Sequence, residues 1–318
     1  MVTATVSTHT VPLNTGASIP LVALGTWQAN DEDTYNAVLT AIKAGYRHID
    51  TAHVYKNEAA VGRAVRDCGV PRGELFVTTK LWCTNHRIAG EALKGSIERL
   101  GLEYVDLYLM HWPVPMLKDP ADPDTFFVMK PDGSVNNDPD WDFIKTWELL
   151  QELPATGLTK AVGVSNFSIT NLTKLLEAPT TKVVPAANQV ELHPLLPQTR
   201  LVEFCQSKGI VVEAYSPLGS SGSPLLKNES LLKIAGELGI PPATLAISWA
   251  VWRKTVVLPK SVSASRIESN IKVVELTDAQ GEAITAIGAE RPVRHVAADR
   301  DWGVPVFNDE DDLSMKRK

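Results

Sequence analysis

Short apolar runs recur along the chain, separated by stretches in which apolar residues return every three or four positions. The runs are VALGTW, GYRHID, LFVTTK, VDLYLMHW, KAVGVSN, PAANQVEL, GIVVEAYSPL and TVVLPKS, eight in all. Runs this short, bounded by polar residues and glycine, predict buried strands. In the intervals, Val61, Ala64, Val65 and Cys68 follow the i, i+3, i+4, i+7 spacing of a helix face, as do Leu231, Ile234, Ala235 and Leu238. Gly45, Gly69, Gly101, Gly209 and Gly239 each stand just past such a pattern, where a helix end calls for a left-handed residue. Ahead of the first run, TVPLNTGASIP reads as a hairpin turning at Asn14 to Gly16. Eight strands alternating with helices predict an α/β fold, a (β/α)8 TIM barrel forming a single domain over residues 1–318, with its core at about 11–307. The competing architecture, an open doubly wound sheet, usually carries a glycine-rich dinucleotide turn, and no GxGxxG occurs.

The ends of the runs are polar. Asp50, Lys80, His111, Ser165–Asn166, Gln189, Tyr215–Ser216 and Lys260–Ser261 all fall where an apolar run gives way to a loop. Asp50 to Lys80 is 30 residues and Lys80 to His111 is 31, one βα repeat each. In a barrel these ends converge on one mouth, where the active sites of this fold lie. Residues 113–140 are too long for a βα turn and rich in Pro, Asp and Asn, and residues 291–318 have little periodicity. Both are expected to form loops over the mouth, and residues 308–318 read as a solvated tail.

Composition narrows the function. A net charge of -6 argues against nucleic acid as a partner. No run approaches the ~18 apolar residues of a membrane span, and the first Lys or Arg is Lys43, so the start lacks the basic region of a secretory signal. Cys68, Cys83 and Cys205 are scattered and odd in number, which suits neither a disulfide framework nor a zinc site. The expectation is a cytoplasmic enzyme acting on small molecules, without a metal.

Asp50, Tyr55, Lys80 and His111 can be one site. A free tyrosine has a pKa of about 10, too high for easy proton exchange near neutrality. An ammonium within ~4 Å, at an effective dielectric of ~20, favours the phenolate by up to about 4 kcal/mol. Lys80 would thereby lower Tyr55 by as much as roughly 3 units, less what desolvation takes back. Asp50 would supply the counter-charge a buried lysine needs, and His111 would orient a substrate oxygen or pass protons. Taken singly, such residues are commonly a cap, packing or a satisfied structural group; their joint placement at successive strand ends strengthens the catalytic reading, and spacing alone leaves both open.

At these residues the chain closely resembles the aldo-keto reductases, from about Val11 to Phe307. GYRHIDTAHVYKNEAAVG carries Asp50 and Tyr55, VTTKLW carries Lys80, and VDLYLMHWP carries His111, matching the family's catalytic Asp, Tyr, Lys and His. The resemblance implies reversible reduction of aldehydes and ketones to alcohols with NADPH/NADP+, with Tyr55 as acid in reduction and base in oxidation. The nearest flavour is the fungal glycerol dehydrogenase or aldehyde reductase branch, and the resemblance implies a monomer or homodimer.

Segment 258–270, LPKSVSASRIESN, offers two cations and several hydroxyls in a strand-to-helix turn. Such a group suits a dianionic phosphate, or simply a capped, solvated helix start. The resemblance implies the first: Lys260, Ser261, Ser263 and Arg266 on the adenosine 2′-phosphate, and Asn270 near the adenine. It further implies Ser165, Asn166 and Gln189 on the nicotinamide carboxamide and Tyr215 stacked on the ring. Ser216, Leu218 and Ser220 would follow the pyrophosphate, with Thr26 beside the cofactor. Trp27, His53, Trp82, Trp112 and Trp302 would ring a pocket for apolar or aromatic carbonyl compounds. Two rivals stand against an active reductase. One is a non-catalytic NADPH-binding regulatory subunit of the same fold; the other is a barrel hydrolase or metal lyase, which needs clustered carboxylate or His ligands.

Overall fold

The computed structural model describes residues 3–122, 125–220, 222–296, 298 and 302–309. Each of the eight apolar runs contains one strand of a single sheet: β1 (Leu24–Gly25), β2 (His48–Asp50), β3 (Phe76–Leu81), β4 (Val105–Met110), β5 (Thr159–Ser165), β6 (Ala187–Glu191), β7 (Val211–Tyr215) and β8 (Val256–Val257). Neighbours in the chain are neighbours in the sheet, all parallel. The ring closes where the first strand meets the last. Val22 bridges Val257 and Gly25 bridges Lys260 in parallel, with Ala23 N donating to Val257 O at 2.9 Å and Val257 N to Leu21 O at 2.7 Å. The expected barrel is the observed fold.

Among the described residues ten α-helices surround it: α1 (Asp31–Ala44), α2 (Glu58–Asp67), α3 (Ala89–Leu100), α4 (Phe143–Leu150), α5 (Ile169–Glu177), α6 (Thr199–Ser207), α7 (Glu229–Leu238), α8 (Pro242–Trp252), α9 (Ala264–Asn270) and α10 (Asp278–Ala289). Their apolar stripes face the sheet. Val61, Ala64 and Val65 of α2 and Leu231 and Ala235 of α7 are buried in one continuous outer core, where burying each large aliphatic side chain contributes about 1.5–3 kcal/mol. Gly45 ends α1 at φ 111° and donates to the carbonyls of Ala41 and Ile42, a left-handed cap that turns the chain into β2 and so aims Asp50 at the mouth.

A second core fills the inside of the barrel. The predicted hairpin forms, Thr10–Pro12 pairing antiparallel with Ser18–Pro20. Its Leu13 and Ile19 pack with Phe76, Leu107, Ala161, Ala187 and Val256, and Asn14 Nδ2 donates to the carbonyls of Val184 and Pro185 just before β6. The hairpin therefore plugs the end where the strands begin, leaving the strand C-termini as the open end.

Both long irregular segments lie at that end. Trp82 Nε1 donates to Phe126 O at 2.7 Å, fastening the 113–140 loop to the end of β3. The later segment is held at two places. The Glu191 carboxylate, at the end of β6, accepts from the backbone N–H groups of His295 and Val296 and pairs with His193 at 3.0 Å. Asp309 accepts from Ile169 N and Thr170 N, and Ser168 Oγ donates to Asn308 Oδ1. Asn308 and Asp309 thus do not belong to a solvated tail. A carboxylate at the first turn of α5 is favoured by the free amides and the helix dipole there, a long-range pairing that local polarity disguised. The rest of that expected tail, residues 310–318, lies outside the described residues.

Candidate active site

β2 stops at Asp50, and a single 3-10 turn, His53–Tyr55, follows. Lys56 at φ 59° then reverses the chain, so Tyr55 returns over the strand ends. Beneath it lies Lys80, the fifth residue of β3, fully buried. Its ammonium reaches Asp50 Oδ1 at 2.7 Å, Asp50 Oδ2 at 2.8 Å and Thr51 O at 2.9 Å. These acceptors and the Tyr55 hydroxyl together surround the ammonium. Burial pulls its pKa down, but Asp50, and then Tyr55, outweigh burial and the net shift is upward. Lys80 is a fixed cation, and its Nζ lies 5.1 Å from the centre of the Tyr55 ring.

The expectation of an acidified tyrosine needs correction. Burial is the largest influence on Tyr55 and raises its pKa; Lys80 lowers it, Asp50 raises it, and the outcome is above 10. The ammonium is spread over a carboxylate and a carbonyl, so its pull on the phenol is diluted and burial outweighs it. Tyr55 is accordingly a phenol at neutral pH.

His111 follows β4 and meets Tyr55 edge to face, with ring centres 5.8 Å apart. Burial first, and Lys80 second, push its pKa well below 6.5, so the imidazole is neutral. Its Nδ1 is buried without a hydrogen-bond partner among the described residues.

Asp50, Tyr55 and His111 form the floor of a cleft of about 480 Å³. One wall is aromatic: Trp27, Trp82, Trp112 and Phe127. Trp302 does not line this cleft; it stands behind the wall, with ring centres 4.9 Å from Trp112 and 6.2 Å from Trp82. His53 lies in a separate depression of about 220 Å³, against Phe126. Sequence reasoning missed Val54, Phe127 and Val296 on the walls; the FF pair at 126–127, inside a polar loop, was the available signal.

The opposite wall carries Thr26, Asn166, Gln189, Tyr215, Ser216 and Leu218, and continues through Ser220 to Lys260. Tyr215 OH donates to Asn166 Oδ1 at 2.9 Å, and Asn166 Nδ2 donates to His111 O, which ties this wall to the floor. Gln189 Nε2 bridges Asp50 Oδ2 at 2.9 Å and Glu213 Oε2 at 3.0 Å, leaving its carbonyl for the cleft. Ser165 is set back: its hydroxyl donates to Gln189 O and accepts from Asn166. Among the described residues eight non-glycine positions have positive φ, and five of them, Gln28, Asn166, Ser216, Ser220 and Ser223, line this cleft. Such backbone is costly and collects at ligand sites.

Ser261 and Ser263 lie beyond the cleft on the turn into α9, and Arg266 and Asn270 lie on the helix itself, Asn270 as its last residue. Tyr46 OH, donating to Ile267 O, anchors that helix to the barrel. Lys260 and Arg266 are exposed, and among the described residues neither has a carboxylate within ion-pair distance. Two uncompensated cations beside two hydroxyls, at the end of a cleft that begins at the Tyr55 phenol, fit an extended ligand ending in a phosphate. Away from the cleft, Glu191, His193 and His295 bring potential ligand atoms within 4.8 Å of one another. Sequence spacing gave no sign of that cluster, since His295 is supplied by the C-terminal segment.

Comparison with other proteins agrees with the geometry. Residues 21–289 match the aldo/keto reductase family. The chain is 53% identical to aldehyde reductase YPR1 of Saccharomyces cerevisiae, over 95% of this chain and 97% of that protein. It is 58% identical to the glycerol 2-dehydrogenase (NADP(+)) of the same yeast, over 91% and 94%. Among solved structures, an aldose reductase from Schistosoma japonicum superposes with a TM-score of 0.86 at 32% identity, covering 96% of this chain and 99% of that one.

Proposed function

The chain belongs to the aldo/keto reductase family, and from that premise we propose that it is an NADP-dependent carbonyl reductase, reducing aldehydes and ketones to alcohols reversibly. The reading is carried by one observation: a fixed Lys80–Asp50 ion pair directly beneath the Tyr55 phenol, with neutral His111 edge-on to it, at the floor of one cleft.

The nicotinamide, when bound, would supply the hydride in reduction and receive it in oxidation. Tyr55, with its raised pKa, is protonated across the neutral range and donates its O–H to the carbonyl oxygen as negative charge develops there. The phenolate left behind is balanced by Lys80, whose charge is already present and needs no reorganisation. His111, being neutral, holds the same oxygen by a hydrogen bond without competing for the proton. Reduction is thus favoured at neutral pH and declines as pH rises through the Tyr55 titration. Oxidation requires the phenolate and is favoured at alkaline pH. Gln189 Oε1 and Asn166 would orient the carboxamide, with Tyr215 against the ring. Lys260 and Arg266 would hold the 2′-phosphate that distinguishes NADPH from NADH, and the tryptophan wall suits aromatic or apolar carbonyl compounds. A yeast relative named as an NADP(+) glycerol dehydrogenase supports the cofactor assignment. Unpaired Cys68, Cys83 and Cys205 suit the reducing cytoplasm.

The test is NADPH consumption with a reactive aromatic aldehyde, by wild type and Tyr55→Phe. Removing a general acid costs about 10²–10⁴-fold in rate. NADPH binding, followed by fluorescence, is expected to stay within about twofold. A Tyr55→Phe protein that turns over at the wild-type rate rejects the mechanism. A wild type that binds NADPH yet reduces nothing points to a regulatory subunit instead.

A further inference from the structure

Glu213 is an acid in the middle of the apolar run VVEAY, and its side chain lies inside the barrel, fully buried. Strand register sets it beside Gln189 on β6 and Val256 on β8. Gln189 Nε2 shares its two hydrogens between Glu213 Oε2 and Asp50 Oδ2, the same carboxylate that holds Lys80. The other oxygen, Oε1, is buried with no hydrogen-bond partner among the described residues. An ionised carboxylate with one buried oxygen unsatisfied is costly, so the arrangement suits the neutral acid.

We propose that Glu213 is a positioning residue of the proton-transfer site: joined to Asp50 through Gln189, it governs the charge surrounding Lys80 and hence how readily Tyr55 releases its proton. The inference rests on the carbonyl-reductase reading above. The charged groups facing Glu213 are Asp50 from β2 and Lys80 from β3; β6 presents the Gln189 amide and β8 an apolar valine. Burial, and then Asp50, push the Glu213 carboxyl up to about 8, against the pull of Gln189 and Lys80. Below that pH the interior holds one cation and one anion. Above it a second anion shares Lys80, and the phenolate of Tyr55 loses part of its stabilisation. Ionisation of Glu213 therefore opposes deprotonation of Tyr55, and alcohol oxidation is delayed to higher pH.

The test compares pH profiles of alcohol oxidation for wild type, Glu213→Gln and Glu213→Asp. Glutamine keeps an acceptor for Gln189 and cannot ionise. Its oxidation midpoint is expected to fall by about one pH unit, roughly tenfold more rate at a fixed pH below the midpoint, and aspartate is expected to return the midpoint toward wild type. A Glu213→Gln profile with the wild-type midpoint, whatever its melting temperature or kcat, overturns the proposal. Should both variants misfold, the unmodified protein still decides. An infrared carboxylic-acid band present at neutral pH and lost near pH 8 supports the inference, and its absence rejects it. A wild type that oxidises and reduces nothing defeats the functional reading instead, and the infrared result still reports on Glu213.

Discussion

The floor of the cleft and its rim are built by opposite means. Asp50, Lys80, Gln189 and Glu213 stand on strands, are buried, and bond to one another. Their positions follow from sheet register, because neighbouring strands are hydrogen-bonded and cannot slip without turning inward residues outward. Trp27, Phe127 and Val296 stand on loops, and two of them are largely exposed, Trp27 at 47% and Phe127 at 43%. Lys260 and Arg266 are also exposed. The floor is a network in which each part depends on the others, whereas rim residues act nearly alone.

Substitutions at the two places should separate accordingly. The largest effect is expected at the floor. Lys80→Met leaves the Asp50 carboxylate uncompensated in the interior, and removing one member of a buried pair costs about 3–5 kcal/mol of stability. Denaturant midpoints should fall and carbonyl turnover should be lost together; a stable Lys80→Met protein would show that floor and rim are not so different. An intermediate effect is expected at the far end of the cleft. Arg266→Ala should raise the KM for NADPH about 10- to 100-fold, the worth of a charge-assisted hydrogen bond of roughly 1.5–3 kcal/mol. The NADH value should barely change and the melting temperature should stay put. If both cofactors weaken alike, Arg266 does not read the phosphate. The smallest effect is expected behind the rim. Trp302→Ala should relax the Trp82–Trp112 wall, raising KM for aromatic aldehydes by about three- to tenfold with kcat nearly constant. A fall in kcat with unchanged KM would place Trp302 in the chemistry rather than the wall.

The same division explains what could be read in advance. Eight strands, the hairpin and the glycine helix ends were legible because they depend on local periodicity and backbone conformation. Asp50, Lys80 and His111 were legible because they end consecutive strands one repeat apart. The membership of the aromatic wall was legible only in part: Trp82 and Trp112 adjoin strand ends, but Phe127 and Val296 arrive from segments whose course no local pattern sets. Asp309 was misread for the same reason, since its partners, Ile169 and Thr170, lie about 140 residues away.

By itself, the sequence determined the barrel, the order of its strands and the identity of the groups that meet at its mouth, since strand alternation and repeat length are properties of neighbouring residues. Only the tertiary structure decided the site's finer terms: that the Tyr55 pKa is raised rather than lowered, and that Glu213 is wired to Asp50 through Gln189. Charge attraction can be anticipated from residue types. The desolvation opposing it depends on how completely distant segments exclude water.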